Sequence, residues 1–317
     1  MINEADKIKK EIIAKSQQIG FSLTGFAASG QLIDEIAKLR QWLEMGYHGS
    51  MKWMESNIYK RENPGNILEN AKTIIVTATN YYLPEENEMG TESGIISVYA
   101  RHRDYHEVLK KKMKLLAEFI KSNYGAESKI YVDTGPVMDK VWAKKAGIGW
   151  QGKNSLILTR EYGSYVFISL IITDLEIPAD EENSQTCGNC RICIDACPTK
   201  ALVADSVLDS TKCLAYWTIE AKPEESFPEE INTELSSRLF GCDICQQVCP
   251  WNKGKKIADF PEFKSENTKA SYLCDEVLSM DEDSFRLNFR KTPIQRLKLA
   301  GLKRNAEELK IYFLKKR

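Results

Sequence analysis

The sequence predicts an α/β (α+β) chain: a mixed sheet with flanking helices, then a small cysteine-rich module, then a short basic helical C-terminus. Three observations predict it. Before residue 180, β-branched runs such as Thr73–Thr79 and Ser164–Thr173 alternate with stretches of helical period. Eight of the nine cysteines then fall between Cys187 and Cys249. From Asn288 to Arg317, ten Lys or Arg against two Glu surround leucines at helical spacing. The expected domains are therefore 1–180, 181–255 and 256–317 of the 317 residues.

Taken in order, residues 5–19 place Ile8, Ile12 and Ile19 near helical spacing among lysines, and Gly20 ends the pattern as a C-cap. A second helix is expected from about Leu32 to Leu43, and an ordered loop or short helix from Met45 to Arg61. Thr73–Thr79 and Ile95–Tyr99 read as buried strands separated by a charged loop, Pro84–Ser93. Asp104 is placed to cap a helix reaching about Lys121, with Leu109, Met113, Leu116 and Phe119 inward. Ile130–Asp133 reads as a short strand ending in a carboxylate, and Pro136 as the start of a helix to Ala146. Asp133 would then stand at a strand's carboxyl end, where open α/β sheets collect ligands, or serve as a plain helix cap. Gly149–Gly152 reads as a tight turn before the runs Ser155–Thr159 and Ser164–Thr173, whose four-residue linker implies an antiparallel pair. The acidic stretch Asp174–Glu182 marks entry to the cysteine module, which closes near Lys253; Ser271–Met280 and Thr292–Leu314 read as helices.

With 44 basic and 45 acidic residues, global charge favours neither a nucleic-acid nor a membrane partner. Two local excesses, Tyr99–Leu115 and the C-terminus, are solvated helix faces or a footprint for phosphates. No run approaches the roughly 18 apolar residues that cross a bilayer, so a cytoplasmic protein without a membrane partner is expected. No GxGxxG or GxxxxGK[ST] string suggests a Rossmann site or a P-loop.

Cys187, Cys190, Cys193 and Cys197-Pro198 spell C-x2-C-x2-C-x3-C-P, a spacing that wraps one cubane with three thiolates and sends the fourth to a second. Cys242, Cys245 and Cys249-Pro250 repeat it one ligand short, and Cys213 is available to complete it. The cross-over rule of two-cluster ferredoxins assigns Cys187, Cys190, Cys193 and Cys249 to one [4Fe–4S] cluster, and Cys197, Cys213, Cys242 and Cys245 to the other. Cys274 is left over. Zinc also binds C-x2-C pairs but does not require this doubled pattern, and disulfides do not suit a reducing cytosol.

Together these strings resemble the epoxyqueuosine reductases. The similarity runs through Arg61, YARHRDYH (Tyr99–His106), Val132-Asp133-Thr134-Gly135, AKKAGIGWQGKNSLIL (Ala143–Leu158), EYGSYVF (Glu161–Phe167), CLAYWTIE (Cys213–Glu220), Arg238–Asp243 and both cysteine runs. The resemblance implies a nitroreductase-like mixed-sheet domain that holds cobalamin (vitamin B12) over 1–180, joined to a two-[4Fe–4S] ferredoxin-like module. It implies reduction of epoxyqueuosine to queuosine at the wobble position of transfer RNAs for Asp, Asn, His and Tyr, with an external low-potential donor supplying two electrons. Asp133 falls where the family has its proton donor, a task that asks for a pKa raised by burial. Arg61, Ser97, Asp133, Ile157, Ile168, Ala215 and Lys222 fall where the family contacts cobalamin. Asp104-Tyr105-His106 begins like the DxHxxG string that supplies a histidine to cobalt, but Leu109 replaces its glycine; no histidine on cobalt is expected, and His106 reads as a helix-surface or core residue. Longer members continue into a helical-repeat region, of which this chain matches only the opening, Thr292–Arg296 and Lys303–Ala306; the retained basic tail is expected to meet phosphates, and the protein to be a monomer.

Two rival readings carry the same clusters. A reductive dehalogenase-like cobalamin enzyme would normally bear a twin-arginine leader, whereas this sequence opens on its first helix. A plain two-cluster electron-transfer protein would leave residues 1–180 without a task.

Overall fold

The computed structural model describes residues 4–84, 91–263 and 268–317. Helix α1 (Glu4–Ile19) buries Ile12 and Ile19 and ends at Gly20. Strand β1 (Leu23–Ala28), helix α2 (Ile33–Glu44) and the short α3 (Ile58–Glu62) follow, α3 after a 3-10 turn at Lys52–Met54. In β2 (Thr73–Asn80) all eight residues are buried. Strand β3 (Ser93–Ile96) starts two residues before the expected Ile95–Tyr99 strand and ends at Ile96, with a 3-10 turn at Val98–Arg101 in place of its end; residues 85–90 of the expected charged loop lie outside the described residues. The Asp104 carboxylate accepts the His106 backbone N–H to cap α4 (Tyr105–Tyr124), and Gly125 at φ +68° ends it.

Next come β4 (Ser128–Tyr131), α5 (Asp139–Lys145), β5 (Trp150–Gln151), β6 (Ile157–Leu158) and β7 (Val166–Thr173). Three expectations move here. β4 stops two residues before Asp133; α5 begins at Asp139 rather than Pro136, so Asp133 caps no helix; and the Gly149–Gly152 turn is partly strand β5, paired antiparallel with β6. The Arg160–Gly163 hairpin is present only as a bridge between Thr159 and Gly163.

The main sheet runs β1-β2-β7-β4 and is antiparallel at every pairing, with Val76 opposite Leu170 and Ile130 opposite Ile171. Its central strands β2 and β7 are largely buried on both faces, which explains their unbroken apolar runs, whereas β4 has no fully buried residue. Ile75 and Ile171 turn towards α1 and α4, while Ile74, Val76, Leu170 and Ile172 turn towards α2 and α5. Gly25 lets β1 abut the end of α5, because a Cβ there would stand 2.0 Å from the Ala146 carbonyl oxygen.

The cysteine module contains α6 (Ile192–Asp195), the hairpin β8 (Leu202–Ala204) and β9 (Val207–Leu208), α7 (Leu214–Ile219), α8 (Glu229–Asn232), β10 (Arg238–Phe240) and α9 (Ile244–Gln247). The chain closes with β11 (Ser271–Leu273), α10 (Cys274–Ser279), α11 (Glu282–Phe289) and α12 (Lys298–Lys316). Ser271–Leu273 is therefore strand where helix was expected. It pairs antiparallel with β3, which pairs parallel with β10, so the mixed pairing sits in this second sheet.

One core joins Ile96 and Ala100, the 214–240 stretch and the C-terminal helices through Leu239, Tyr272, Phe289, Leu302 and Leu309. Arg304, expected among the phosphate contacts, is 8% exposed: it lies over the Phe227 ring and donates to the carbonyls of Trp217, Ala221, Lys222 and Glu225. Its neighbour Asn305 donates to the Thr218 and Leu239 carbonyls. Among the described residues, no helix is long and apolar enough to cross a membrane.

Candidate active site and thiol groups

Asp133 sits in the loop between β4 and α5 at φ +57°, a left-handed conformation that Asp tolerates better than most residues. Two residues on, Gly135 packs so closely on Tyr131 that a Cβ would stand 2.2 Å from its ring. The loop is held from outside by the start of α4. Tyr105 Oη donates to Asp133 Oδ2 at 2.6 Å, and His106 Nε2 stands 3.4 Å from the same oxygen. The Tyr105 ring is itself fixed, stacked on Phe167 at 4.1 Å and on His106 at 4.0 Å between centroids. The other imidazole nitrogen, Nδ1, is 2.7 Å from Asp104 Oδ1.

The surrounding protein pushes the Asp133 carboxyl up. With 60% of its side chain exposed, that push loses to hydrogen bonds from His106 and Tyr105 and to the positive charges of His106 and Lys140, and the carboxyl ends below its ordinary pKa. The upward shift expected of a proton donor is therefore absent. It appears instead on His106: burial pulls the ring down, but hydrogen bonds to Asp104 and Asp133, with their charges, raise it to about 9.

A second carboxylate, Asp139, starts α5 and escaped the sequence reading. Burial raises its pKa to about 8, helped by the charge of Asp133 and opposed by Lys140 and Arg61. Its Oδ1 is buried with no hydrogen-bond partner among the described residues. Arg61 is 5% exposed on α3 and donates to the Ser56 carbonyl while sensing Asp139. Lys140 senses Asp133, Asp139 and Cys245, so these groups share one electrostatic neighbourhood. Glu220, paired with Arg296 at 2.7 Å, also senses Asp133.

The remaining predicted cofactor residues are spread wider. Ser97 is buried with its hydroxyl against Gly241, where a Cβ would stand 2.3 Å from it. Ile157 is buried and Ile168 half-buried in the core between the sheet, α2 and α5. Ala215 is half-buried on α7, and the exposed Lys222 offers its carbonyl to Arg304.

The thiols fall into two neighbourhoods. Burial raises Cys193 and Cys249; nearby Cys249 and Cys187 raise Cys193 further, and Cys187 and Cys190 do the same to Cys249. Burial likewise raises Cys213, with Cys197 adding to it, and pushes Cys242 up to about 12 with Cys213 beside it. Cys245 is raised by burial and then by Cys242 and Cys213, with Asp243 and the other set's Cys193 also reaching it. Cys197 Sγ accepts the Ala201 N–H at 3.3 Å. Cys274 lies apart, 1% exposed in the C-terminal core. Among the described residues, no three His, Cys, Asp or Glu side chains converge as one bare ion would need. A cubane asks for less convergence, since each thiolate binds a different iron.

Both cofactors implied above meet donor sets that suit them. Two groups of four thiols that repel one another as thiolates match clusters whose irons offset that charge. A corrin has apolar faces and an amide rim; the unpaired Asp139 oxygen and Arg61, with Ile157 and Ile168 as apolar neighbours of the same core, supply both kinds of contact.

Comparison with known proteins bears on this geometry. A family model described as epoxyqueuosine reductase QueG matches residues 61–134, and one described as a 4Fe-4S double cluster binding domain matches residues 186–252. An epoxyqueuosine reductase of Leadbetterella byssophila is 43% identical over 93% of this chain and 96% of its own. A crystal structure of an epoxyqueuosine reductase with an epoxyqueuosine-modified tRNA-Tyr stem loop superposes with TM-score 0.91 at 32% identity, covering 98% of this chain and 82% of that one. The Bacillus subtilis enzyme, solved with its catalytic aspartate loop swung out of the active site, superposes with TM-score 0.90 at 31% identity over the same shares. A catabolic reductive dehalogenase, at 12% identity and TM-score 0.50 over 96% of this chain and 38% of its own, shares the fold alone.

Proposed function

The chain belongs to the epoxyqueuosine reductase family, and from that premise we propose that Asp133 hands the proton to the epoxide oxygen of the substrate. The chain is an oxidoreductase that reduces epoxyqueuosine to queuosine at the wobble position of transfer RNAs for Asp, Asn, His and Tyr. Two carbon–oxygen bonds break, a carbon–carbon double bond forms, and the oxygen leaves as water after taking two protons and two electrons. Cobalamin, when bound, would supply a strongly reducing cobalt centre, and the two [4Fe–4S] clusters would supply single electrons.

Arg61, Ser97, Asp133, Ile157, Ile168, Ala215 and Lys222, with Asp139 added, hold the corrin in this reading. Cys187, Cys190, Cys193 and Cys249 hold one cluster; Cys197, Cys213, Cys242 and Cys245 hold the other. The first set flanks the exposed Gly188, Asn189, Arg191 and Ile192, which suits entry from an external low-potential donor. The second includes Cys245, which senses the pocket residue Lys140, and so suits delivery. An opened epoxide oxygen is a poor leaving group until protonated, and Asp133 is the carboxyl that Tyr105 and His106 steer. That steering carries the assignment. The catalytic aspartate loop that swings in the Bacillus subtilis relative supports it, because here the loop rests on two side chains rather than in a core.

The test is conversion of a modified tRNA stem loop by the cobalamin-loaded, chemically reduced protein, read by mass spectrometry of digested nucleosides. Wild type yields queuosine; Asp133→Asn keeps its iron and fold but leaves epoxyqueuosine. Near-normal queuosine from that variant overturns the acid role. For the ligand assignment, Cys187→Ala should roughly halve the iron content, whereas Cys274→Ala leaves it unchanged. Two intact clusters in Cys187→Ala would remove that cysteine from the ligand set.

A further inference from the structure

His106 is placed between two carboxylates, with Nδ1 2.7 Å from Asp104 Oδ1 and Nε2 3.4 Å from Asp133 Oδ2. A neutral imidazole carries one N–H and leaves the other nitrogen's lone pair facing an anion; only the doubly protonated ring satisfies both sides. Asp104 is further committed as the cap of α4, where it also accepts the His106 backbone N–H. The ring is stacked on Tyr105, so it does not swing freely. It is also reachable: its side chain is 27% exposed and lines a cavity of about 380 Å³ with Glu107, Lys110, Tyr131 and Thr134.

We propose that His106 is the proton store for Asp133. This rests on the reading of Asp133 as the acid and supplies what that carboxyl lacks on its own. As Asp133 gives a proton to the substrate oxygen, the imidazolium passes its Nε2 proton to Asp133 Oδ2 and is recharged by water from the cavity. Two passages deliver the two protons that leave with the oxygen as water, while the two electrons come from the external donor through the clusters. Asp104 does not take the proton. Burial raises its carboxyl, but the hydrogen bonds and charge of His106 outweigh that and hold it below its ordinary pKa, so it keeps the imidazolium charged and oriented. Tyr105 holds Asp133 in reach.

The charged or titratable groups around the ring are Asp104, Tyr105, Glu107 and Lys110 from α4 and its cap, Asp133 from the loop, Tyr131 from β4, and Lys140, which reaches Asp133 from α5. The carboxylates that contact the ring outnumber the cations that do, which agrees with its rise to about 9. The group titrates as a unit, so its midpoint belongs to the set.

The first measurement needs no turnover. The chain has three histidines, His48, His102 and His106, so the ring signals of the cluster-containing protein can be assigned by comparison with His106→Gln. The His106 ring should stay charged to about pH 9, with Asp104→Asn and Asp133→Asn each lowering the midpoint. A midpoint near the ordinary 6.5 overturns the proposal. The second measurement is the pH profile of stem-loop conversion. His106→Gln should be slower by about tenfold or more at neutral pH, with the deficit growing as pH rises and shrinking towards acid, because Asp133 must then collect its proton from ever scarcer hydronium. A loss of equal size at every pH marks a merely structural histidine and sinks the storage role. Should Asp133→Asn turn over normally, the acid reading fails with it; should Asp133→Asn be inactive while His106→Gln shows the flat loss, only the storage role fails.

Discussion

Two carboxylates six residues apart in the chain meet one electrostatic neighbourhood and end with opposite proton affinities. Asp133 rides on a loop, largely open, with Tyr105 donating to it and the His106 Nε2 3.4 Å from the same oxygen. Asp139 begins a helix, enclosed, with an oxygen that no group among the described residues satisfies. Donors stabilise the anion; enclosure without donors favours the neutral acid. At neutral pH the pocket therefore holds one negative and one protonated carboxyl, and divergent pairs of this kind separate acid from base roles in many enzymes. The difference also makes Asp139 the natural rival for the proton-donor task, since it keeps a proton without help. We propose Asp133 for the task because its Oδ2 is the oxygen that Tyr105 and His106 approach.

The sharpest way to break this comparison is to neutralise each carboxyl in turn. Asp133→Asn should cost about 10² to 10⁴ in stem-loop conversion at pH 7, the range that general acid catalysis supplies. Asp139→Asn replaces a group already neutral at that pH, and should cost less than about fivefold while weakening cobalamin uptake, read by absorbance titration. Equal losses would make Asp139 a partner in the chemistry. A smaller effect is expected from Tyr105→Phe, which keeps the stack on Phe167 and His106 but deletes the 2.6 Å bond; a hydrogen bond to a charged group is worth about 1.5 kcal/mol or more, so conversion should fall about tenfold. No change would mean that His106 alone steers the loop.

The smallest effect is thermal. The Asp139 pKa of about 8 in the folded chain lies above its unfolded value of 3.8, so the folded protein holds a proton that the unfolded chain sheds, and stability falls as pH rises from about 4 to about 8. Asp139→Asn removes that slope and should raise Tm more at pH 8 than at pH 4. His106 also loses a contribution with rising pH, but over a different window: it is complete below 6.5 and gone once pH passes about 9. Scans at pH 4, 6 and 8 of Asp139→Asn and of His106→Gln separate the two.

The double-cluster module was legible because its cysteine spacing is local: a C-x2-C-x2-C-x3-C-P string places its thiols through one loop and one helical turn, whatever the rest of the chain does. Strands β2 and β7 were legible for a related reason, since burial on both faces writes them as unbroken apolar runs, whereas the half-exposed start of β1 went unread. Strand direction was not legible. The segments joining β1 to β2 and β2 to β7 are long enough to return either way, so the sheet's antiparallel order left no mark. The pocket is joined only in space, from Arg61 on α3, Tyr105 and His106 on α4, the Asp133 loop and Asp139 on α5. Asp139 carried no signal in the sequence beyond its place near the start of a helix. His106 had one usable signal, its place two residues after a capping Asp, where an imidazole can fold back on the cap. Arg304 shows the converse: its basic neighbours suggested phosphates, yet the side chain is spent on four carbonyls and an aromatic ring that bind α12 to the 217–225 stretch.

Trp150 is fully enclosed, meets Trp251 edge-on at 4.7 Å between centroids, and packs with Cys249 and Cys187. Indole fluorescence is drained by a nearby absorber whose spectrum overlaps its emission. An iron–sulfur cluster is such a chromophore and a bare thiol is not. Two of the six tryptophans thus form an optical gauge beside the outer thiol set. Loading or loss of the cluster there should be visible as dimming or recovery of ultraviolet emission, in real time and without destroying the sample.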